Sequence, residues 1–126
     1  MAIERSRSTR KATGGRYIPY RKSRQFSRVS EPTLTKMGDY KASEHRTAGG
    51  GHKVKLLSIN KINVADPKSK TVKLATIKTV KKNEANINFI IRNIMNKGAV
   101  VETDLGMVKI TSRPGQNGSM SGVLIK

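Results

Sequence analysis

Apolar and polar positions are distributed unevenly along the chain. Residues 1–52 hold few apolar side chains and show little periodicity, whereas residues 53–126 hold most of them. A segment so poor in apolar residues cannot bury a core of its own and is expected to order only on binding. The pattern predicts a basic N-terminal extension over residues 1–52 and a folded domain over residues 53–126.

The C-terminal part shows the two-residue period of β-strands. Over residues 71–81, Val72, Leu74 and Val80 lie on one face, and Ala75 and Ile77 lie on the other. Strict alternation of this kind is typical of a strand. Apolar residues on both faces favour a strand that is partly covered on each side, as in a barrel.

Shorter patterns predict further strands and the turns between them. Residues 62–65 either continue the first strand or pair near it, and residues 83–96 are compatible with a short helix or an irregular strand. Several short strands with regular turns favour a mostly β fold, a small closed β-barrel, because closure removes exposed strand edges. The other predicted strands are residues 53–60, 100–103, 107–111 and 123–125, the second and third forming a hairpin around 104–106, and turns are predicted at 66–69, 114–115 and 117–118.

The charge of the chain points to a polyanionic partner. Its 126 residues carry 26 Lys and Arg against 8 Asp and Glu, a formal net charge of +18. A surface of this kind repels itself unless a polyanion or salt neutralises it. Nucleic acid is the leading partner, followed by an anionic membrane and an acidic protein.

Other classes are excluded more simply. With no Cys, the chain can form neither disulfides nor a zinc finger. Its apolar runs are far shorter than the roughly 20 residues needed to span a bilayer, and residues 1–30 contain no apolar core of a signal peptide. These features predict a cytoplasmic protein without a membrane partner.

The kind of positive charge changes along the chain. Arg dominates residues 1–30 and Lys dominates the rest. Arg grips phosphate with two parallel hydrogen bonds and stacks on flat rings, which suits an RNA-gripping segment. The aromatic residues of the extension either stack on bases or pack against the domain, and both interpretations stay open: Tyr17, Tyr20, Phe26 and Tyr40.

The basic positions and their neighbours define a candidate nucleic-acid interface. Gly49 and Gly50 are included because glycines let a backbone approach phosphate closely, although a flexible hinge between extension and domain explains the glycine run equally well. The residues predicted to contact RNA are Arg5, Arg7, Arg10, Lys11, Arg16, Tyr17, Tyr20, Arg21, Lys22, Arg24, Arg28, Arg46, Gly49, Gly50, His52, Lys53, Arg92, Lys97 and Arg113.

Candidate catalytic and metal chemistry is weak. Glu102 and Asp104 would share one face of a strand, and two adjacent carboxylates can act as an acid and base pair, but surface ion pairing is favoured on so basic a protein. His45 and His52 flank the glycine run without a third ligand. No nucleophile or nucleotide-binding motif is present. We therefore expect no catalysis, no cofactor, no metal and no small-molecule substrate.

An ordered set of motifs resembles a known family. It comprises Ser-Thr-Arg-Lys-Ala-Thr-Gly-Gly-Arg at 8–16, Ala-Gly-Gly at 48–50, Asn-Val-Ala-Asp-Pro at 63–67, Arg-Asn-Ile at 92–94, Lys-Gly-Ala-Val-Val-Glu-Thr at 97–103, Leu-Gly at 105–106 and Thr-Ser-Arg-Pro-Gly-Gln at 111–116. Together they resemble the S-eight-e family of small-subunit ribosomal proteins in its short archaeal form. The chain departs from the family pattern at Ala48, Gly51, Ile91 and Asn117.

The resemblance implies a non-catalytic component of the small ribosomal subunit. It implies a β-barrel body, a basic N-terminal extension threaded among RNA helices, and small-subunit ribosomal RNA and neighbouring ribosomal proteins as partners. Two alternatives stay open, a ribosome-assembly factor and a nonspecific nucleic-acid-binding protein. A third, an enzyme built on Glu102 and Asp104, has little support in the sequence.

Overall fold

The computed structural model describes residues 3–4, 7–22 and 24–125, with the backbone alone at residues 3, 4 and 28. It divides into two compact units, an N-terminal unit (Met1–Pro32) and a barrel unit (Thr33–Lys126). In chain order the strands are β1 (Ile3–Glu4), β2 (Arg28–Val29), β3 (Thr35–Met37), β4 (Lys41–Arg46), β5 (His52–Ile59), β6 (Lys61–Asp66), β7 (Thr71–Lys82), β8 (Ile94–Met95), β9 (Val100–Thr103), β10 (Gly106–Ile110) and β11 (Ser121–Leu124).

The N-terminal unit contains very little regular structure. Strand β1 pairs antiparallel with β2, which directly follows a 3₁₀ turn at Gln25–Ser27. None of the described side chains in this unit is buried. Such a segment has no hydrophobic core to stabilise it, as its apolar-poor sequence predicts.

Five strands close into a barrel in the order β10–β11–β6–β7–β9. All neighbours are antiparallel except β6 and β11, which run parallel. The predicted mostly β fold with a small closed barrel is confirmed, as is the hairpin formed by β9 and β10. The order joins the last strand of the chain to β6, a pairing between distant segments that local patterns do not reveal.

The long strand β7 corrects one prediction. Ala75, Ile77 and Val80 are buried, whereas Val72 and Leu74 are 68% and 63% exposed. The pairing of β7 with β9 shifts register between Ile77 and Thr79 and again between Val80 and Lys82. An irregularity of this kind inserts an extra residue and exchanges the two faces of a strand. At each point along β7 only one face is buried, and the buried face changes along the strand. The prediction that both faces are partly covered along its length is therefore wrong.

A second sheet has the order β4–β5–β3–β8. Strand β6 therefore neither continues β5 nor pairs with it, because the chain passes from this sheet into the barrel at Asn60. Strands β3 and β4 arise within the segment that the sequence assigned to the extension, and both pair with β5. The segment 83–96 contains a short helix, α1 (Asn88–Ile91), followed by strand β8, so each open interpretation holds for part of it.

Residues from both sheets form the hydrophobic core. Full burial of each large aliphatic side chain contributes roughly 1.5–3 kcal/mol. Thr35, which is completely buried, satisfies its hydroxyl by donating to the backbone carbonyl of Leu56 at 2.7 Å. The core comprises Leu56, Ile59, Ile62, Val64, Ala75, Ile77, Val80, Met95, Ala99, Val101, Val108, Ile110 and Met120.

Candidate nucleic-acid interface

A tight loop presents the first basic residues of the N-terminal unit. Arg10 and Arg16 lie opposite each other in an antiparallel bridge. The backbone N–H of Tyr17 donates to the carbonyl of Thr9 at 3.0 Å, and the Arg10 guanidinium donates to the carbonyl of Gly14 at 2.9 Å. Gly14 permits this closure because its φ is 85°, in the left-handed region that favours glycine. The loop therefore exposes two guanidinium groups on a closed backbone.

Cations stack on the aromatic rings of the same unit. The Arg7 guanidinium lies 3.9 Å from the centre of the Tyr17 ring, and the Arg21 guanidinium lies 5.2 and 5.5 Å from the rings of Tyr20 and Phe26. Tyr20 and Phe26 are 87% and 78% exposed. Cation–π contacts hold these rings at the surface without burying them, so flat aromatic faces and positive charges occur side by side.

The N-terminal unit has little internal neutralisation of its charge. Between Glu4 and Glu31 the sequence contains seven Arg and two Lys and no acidic residue. Every described side chain from residue 7 to residue 22 is exposed. Positive charges held so close together at the surface favour an external polyanion.

Several of the predicted residues are placed individually. Lys11 lies in the loop, with its ammonium 5.7 Å from the centre of the Tyr17 ring. Arg16, Lys22 and Arg24 are exposed, and within the described part of the chain their side chains take part in no hydrogen bond or ion pair. Arg5 lies outside the described residues, and for Arg28 only the backbone is described, in β2.

A second group of predicted residues lies at the end of the β4–β5 hairpin. Arg46 lies opposite His52, and the His52 Nδ1 atom lies 3.0 Å from the Glu44 Oε1 atom. The Lys53 ammonium donates to Gln116 Oε1 at 3.5 Å, which ties the hairpin to the turn that contains Pro114. We call Arg46, His52, Lys53 and the turn between β4 and β5 the hairpin surface.

The glycine run forms the turn of this hairpin. Gly49 and Gly50 have φ values of 82° and 80°, and the N–H of Thr47 donates to the carbonyl of Gly51 at 2.6 Å. Because β4 and β5 pair on either side of it, the run is a strand connection. The alternative of a hinge between extension and domain is wrong.

The remaining predicted residues are not all gathered at the hairpin surface. Arg113 begins the turn whose Pro114 carbonyl accepts the N–H of Leu56 on β5, so it lies near the hairpin strands. Arg92 follows α1 and precedes β8, at the opposite edge of the sheet from β4. Lys97 lies in the connection from β8 to β9. Arg92 and Lys97 therefore lie apart from the hairpin surface, and the RNA contacts of all these residues stay predictions.

The two candidate catalytic carboxylates are engaged separately. Glu102 lies 3.1 Å from the Lys81 ammonium, and Asp104 lies 3.3 Å from that of Lys78. The Lys81 hydrogen bond, followed by that of Thr79, lowers the pKa of Glu102 below its ordinary value. A general acid needs the opposite shift. The predicted surface ion pairing is confirmed, and the geometry gives no acid and base pair.

The two histidines also form separate contacts. His45 Nε2 lies 3.2 Å from the hydroxyl of Ser43, and His52 contacts Glu44. Among the described residues, no three His, Asp or Glu side chains come close enough together to hold a metal ion. The same residues include no helix that is long and apolar enough to cross a membrane.

A hollow beside Tyr40 was not predicted from the sequence. Its volume is about 470 Å³, and its walls come from the β3–β4 turn, the start of β6, the outer face of β7 and the segment before β11. Of its lining residues, only Tyr40 was singled out from the sequence. The others belong to distant segments that are brought together only by the sheets. The lining residues whose side chains could contact a ligand are Asp39, Tyr40, Asn60, Lys61, Asn63 and Leu74.

The described residues comprise a closed five-stranded barrel and a separate N-terminal unit that is rich in Arg, without a catalytic centre among the candidate residues tested above. Comparison with known proteins identifies the family. The model of the family described as Ribosomal protein S8e, the one that the sequence resembles, matches residues 4–125. The chain therefore belongs to the Ribosomal protein S8e family and is a ribosomal protein rather than an enzyme.

Individual relatives match over almost their whole length. The small ribosomal subunit protein eS8 of Picrophilus torridus is 44% identical over 125 residues, covering 99% of this chain and 100% of the relative. The protein of the same name from Methanococcus aeolicus is 46% identical over 128 residues, covering 99% and 98%. That of Methanobrevibacter smithii is 39% identical over 125 residues, covering 99% and 100%. All are archaeal, in agreement with the predicted short archaeal form.

Proposed function

We propose that the chain is a structural component of the small ribosomal subunit, acting in the cytoplasm, and that it binds ribosomal RNA mainly through its N-terminal unit. The small-subunit role rests on the relatives, each named small ribosomal subunit protein eS8. The observation that carries the RNA contact is the run of seven Arg and two Lys between Glu4 and Glu31 with no acidic residue.

The physical basis is the release of counterions from RNA. Each guanidinium that replaces a condensed cation at a phosphate frees that cation to solution. Arg forms two parallel hydrogen bonds to one phosphate, which fixes position as well as charge. The loop closed by Arg10 and Arg16 places two Arg residues opposite each other, and the exposed Tyr20 and Phe26 rings of the same unit offer faces on which unpaired bases stack.

The hairpin surface supplies a second contact in this proposal. The left-handed glycines in its turn leave backbone N–H groups without side chains around them, which is how glycine loops approach phosphates. The predicted RNA-binding extension over residues 1–52 then corresponds to the N-terminal unit together with β3, β4 and the glycine turn. The barrel provides a rigid support for the hairpin surface, and neighbouring ribosomal proteins are the proposed protein partners.

Two charge-matched triple variants test the N-terminal contact. Arg16→Gln, Lys22→Gln and Arg24→Gln remove three cations whose side chains have no partner within the described part of the chain. The control removes three cations that pair within the barrel unit, Lys78, Lys81 and Lys82, whose partners are Asp104, Glu102 and Glu84. Both variants lower the formal net charge equally, so only the position of the lost charge differs.

The measurement is the salt dependence of binding to folded small-subunit ribosomal RNA. The N-terminal triple should reduce the slope of log affinity against log salt by about 3, one for each lost phosphate contact, and the control should reduce it by less than about 1. Equal effects of the two variants, or a larger effect of the control, would contradict the proposal. Competition with duplex DNA separates the alternative, since a nonspecific binder would show equal affinity for both nucleic acids.

A further inference from the structure

The hollow beside Tyr40 has walls that the fold holds in place. The Tyr40 hydroxyl donates to the Gly118 carbonyl at 3.4 Å, and the Ser58 hydroxyl donates to the carbonyl of Asp39. On the opposite side, the N–H of Asn63 donates to the Met120 carbonyl at 3.0 Å. Backbone groups of three separate segments are therefore fixed around one concave surface.

Two apolar side chains of the hollow are unusually exposed. Tyr40 is 62% exposed, and Leu74 on the outer face of β7 is 63% exposed. Leu74 lies directly opposite Asn63 in the β6–β7 pairing, so the aliphatic group and the amide stand side by side. A flat ring and an aliphatic side chain in one hollow are suited to a flat, partly apolar ligand.

The polar groups of the hollow are suited to reading the edge of such a ligand. Asn60 and Asn63 line it, and within the described residues neither side-chain amide has a hydrogen-bond partner. Each amide offers both donors and an acceptor, and the Asp39 carboxylate adds an acceptor. Lys61, exposed on β6, supplies the positive charge that a phosphate linked to the ligand would need.

We propose that this hollow receives a single unpaired RNA base, which stacks on Tyr40 and is read by Asn60, Asn63 and Asp39. The inference rests on the proposed function, because it takes the ligand from the RNA that the N-terminal unit binds. The volume of about 470 Å³ falls within the roughly 300–1,000 Å³ typical of small-molecule sites. The ribose and phosphate remain outside, beside Lys61.

The polar groups also set a base preference. Asn forms a paired contact with adenine, and a carboxylate accepts from the exocyclic amino group of cytosine. Uracil has no exocyclic amino group. Its one donor on the pairing edge, the N3–H, lies between two carbonyl oxygens that the Asp39 carboxylate repels, so uracil is the poorer partner. The hollow therefore favours adenine or cytosine over uracil by roughly fivefold or more.

The experiment uses the full chain and three short RNA hairpins that share one stem. The first has a single bulged adenine, the second has an abasic site in the bulge, and the third is fully paired. Stacking on an exposed aromatic residue strengthens binding by roughly fivefold to a hundredfold, so the wild type should bind the adenine bulge at least about fivefold more tightly than the abasic one. Replacing the adenine by uracil keeps a ring for stacking but loses the edge contacts, so it should weaken binding by roughly fivefold or more.

Variants assign the gain to the hollow. Tyr40→Leu should bring the ratio of the two affinities to about 1, whereas Tyr40→Phe keeps the ring and should keep the ratio. The chain contains no Trp, so Tyr40→Trp introduces a single reporter whose fluorescence stacking should quench with the adenine bulge and not with the abasic hairpin. Asn63→Ala, on the exposed side of β6, tests the base preference without touching the ring.

The outcomes separate the two proposals. Equal, tight binding of the wild type to all three hairpins would overturn the base site and leave RNA binding intact. The base site would also be wrong if the Tyr40→Trp emission stayed unchanged while the adenine bulge was bound. Failure to bind any hairpin or folded ribosomal RNA would overturn both.

Discussion

Replacement of Gly122 by alanine tests how tightly the barrel closes. Gly122 is a buried position of β11, between the parallel neighbour β6 and the antiparallel neighbour β10. Its cross-strand partners Val64 and Ile110 are both buried. Position 122 therefore faces the barrel interior, where neighbouring side chains already occupy the space that a methyl group needs.

The distances give the size of the effect. A methyl group at position 122 would lie 2.5 Å from Val108 Cγ1, 2.8 Å from the backbone oxygen of Lys109 and 3.1 Å from Ile62 Cδ1. Overpacking of a core costs roughly 1–3 kcal/mol. Because the Lys109 carbonyl belongs to the hydrogen-bonded ladder and cannot easily yield, we expect about 3 kcal/mol, at the upper end of that range.

Thermal unfolding followed by far-UV circular dichroism provides the assay. For a domain of this size, 1 kcal/mol shifts the Tm by roughly 4–8 °C, so Gly122→Ala should lower it by about 12–24 °C. Gly115→Ala is the matched control, because its methyl group would first meet Thr33 Cβ at an ordinary 3.4 Å. A Gly122→Ala protein that melts within about 4 °C of the wild type would refute the account of barrel packing.

Three further substitutions test local features. Asn93 has a φ of 48°, and its side-chain oxygen accepts the N–H of Val80 at 3.4 Å. In urea titrations, Asn93→Gly, which loses only the hydrogen bond, should lower the free energy of unfolding by about 1 kcal/mol, whereas Asn93→Ala, which also strains the left-handed backbone, should lower it by about 2 kcal/mol. Equal losses would contradict this. Lys70 has a φ of 53°, so Lys70→Gly should raise the urea midpoint by the equivalent of about 0.5–1 kcal/mol, and a lower midpoint would be the wrong sign. Because the hydrogen bonds from Lys81 and Thr79 lower the pKa of Glu102 below its ordinary value, the carboxylate stabilises the fold above its unfolded-state pKa. That stabilisation is lost as the pH falls through the folded-state pKa. Glu102→Gln should therefore flatten the decline of Tm below about pH 5, and an unchanged decline would refute the assignment.

Local patterns predicted the barrel strands well and the edge sheet poorly. The alternation of residues 71–81 and the turn between β9 and β10 were visible because each depends on neighbouring residues. Strand β4 was missed because it is an edge strand with mostly exposed side chains, so it carries no apolar alternation. Strand β3 was missed because its buried residue is Thr35, which a hydrophobicity pattern does not mark as core.

The face of β7 could not be predicted because its irregularities depend on its partner. Val72 and Leu74 fit the period of an inward-facing series, but the shifts occur where β9 pairs with Ile77 and Val80. Near these shifts, the backbone N–H of Val80 donates a hydrogen bond to the Asn93 side chain. A single sequence contains no local signal for a contact of this kind.

The sequence was sufficient to predict which residue types form the candidate interface, but not how they are arranged in space. Charge and aromatic content pointed to the N-terminal residues, and the resemblance identified the family. The loop that places Arg10 opposite Arg16 depends on Gly14, whose left-handed conformation is visible only in the structure. The hollow beside Tyr40 depends on segments far apart in sequence, so no spacing rule would find it.

The most direct test of the central claim is ultraviolet crosslinking of purified mature small subunits, followed by mass spectrometry of peptides that carry ribosomal RNA nucleotides. The account predicts that the chain is present in these particles and that its crosslinked peptides include residues 7–24, around Tyr17 and Tyr20. Absence of the chain from mature subunits, with presence only in precursor particles, would favour an assembly factor. Crosslinks confined to the ion-paired part of β7 around Lys78, Lys81 and Lys82 would contradict the role of the N-terminal unit.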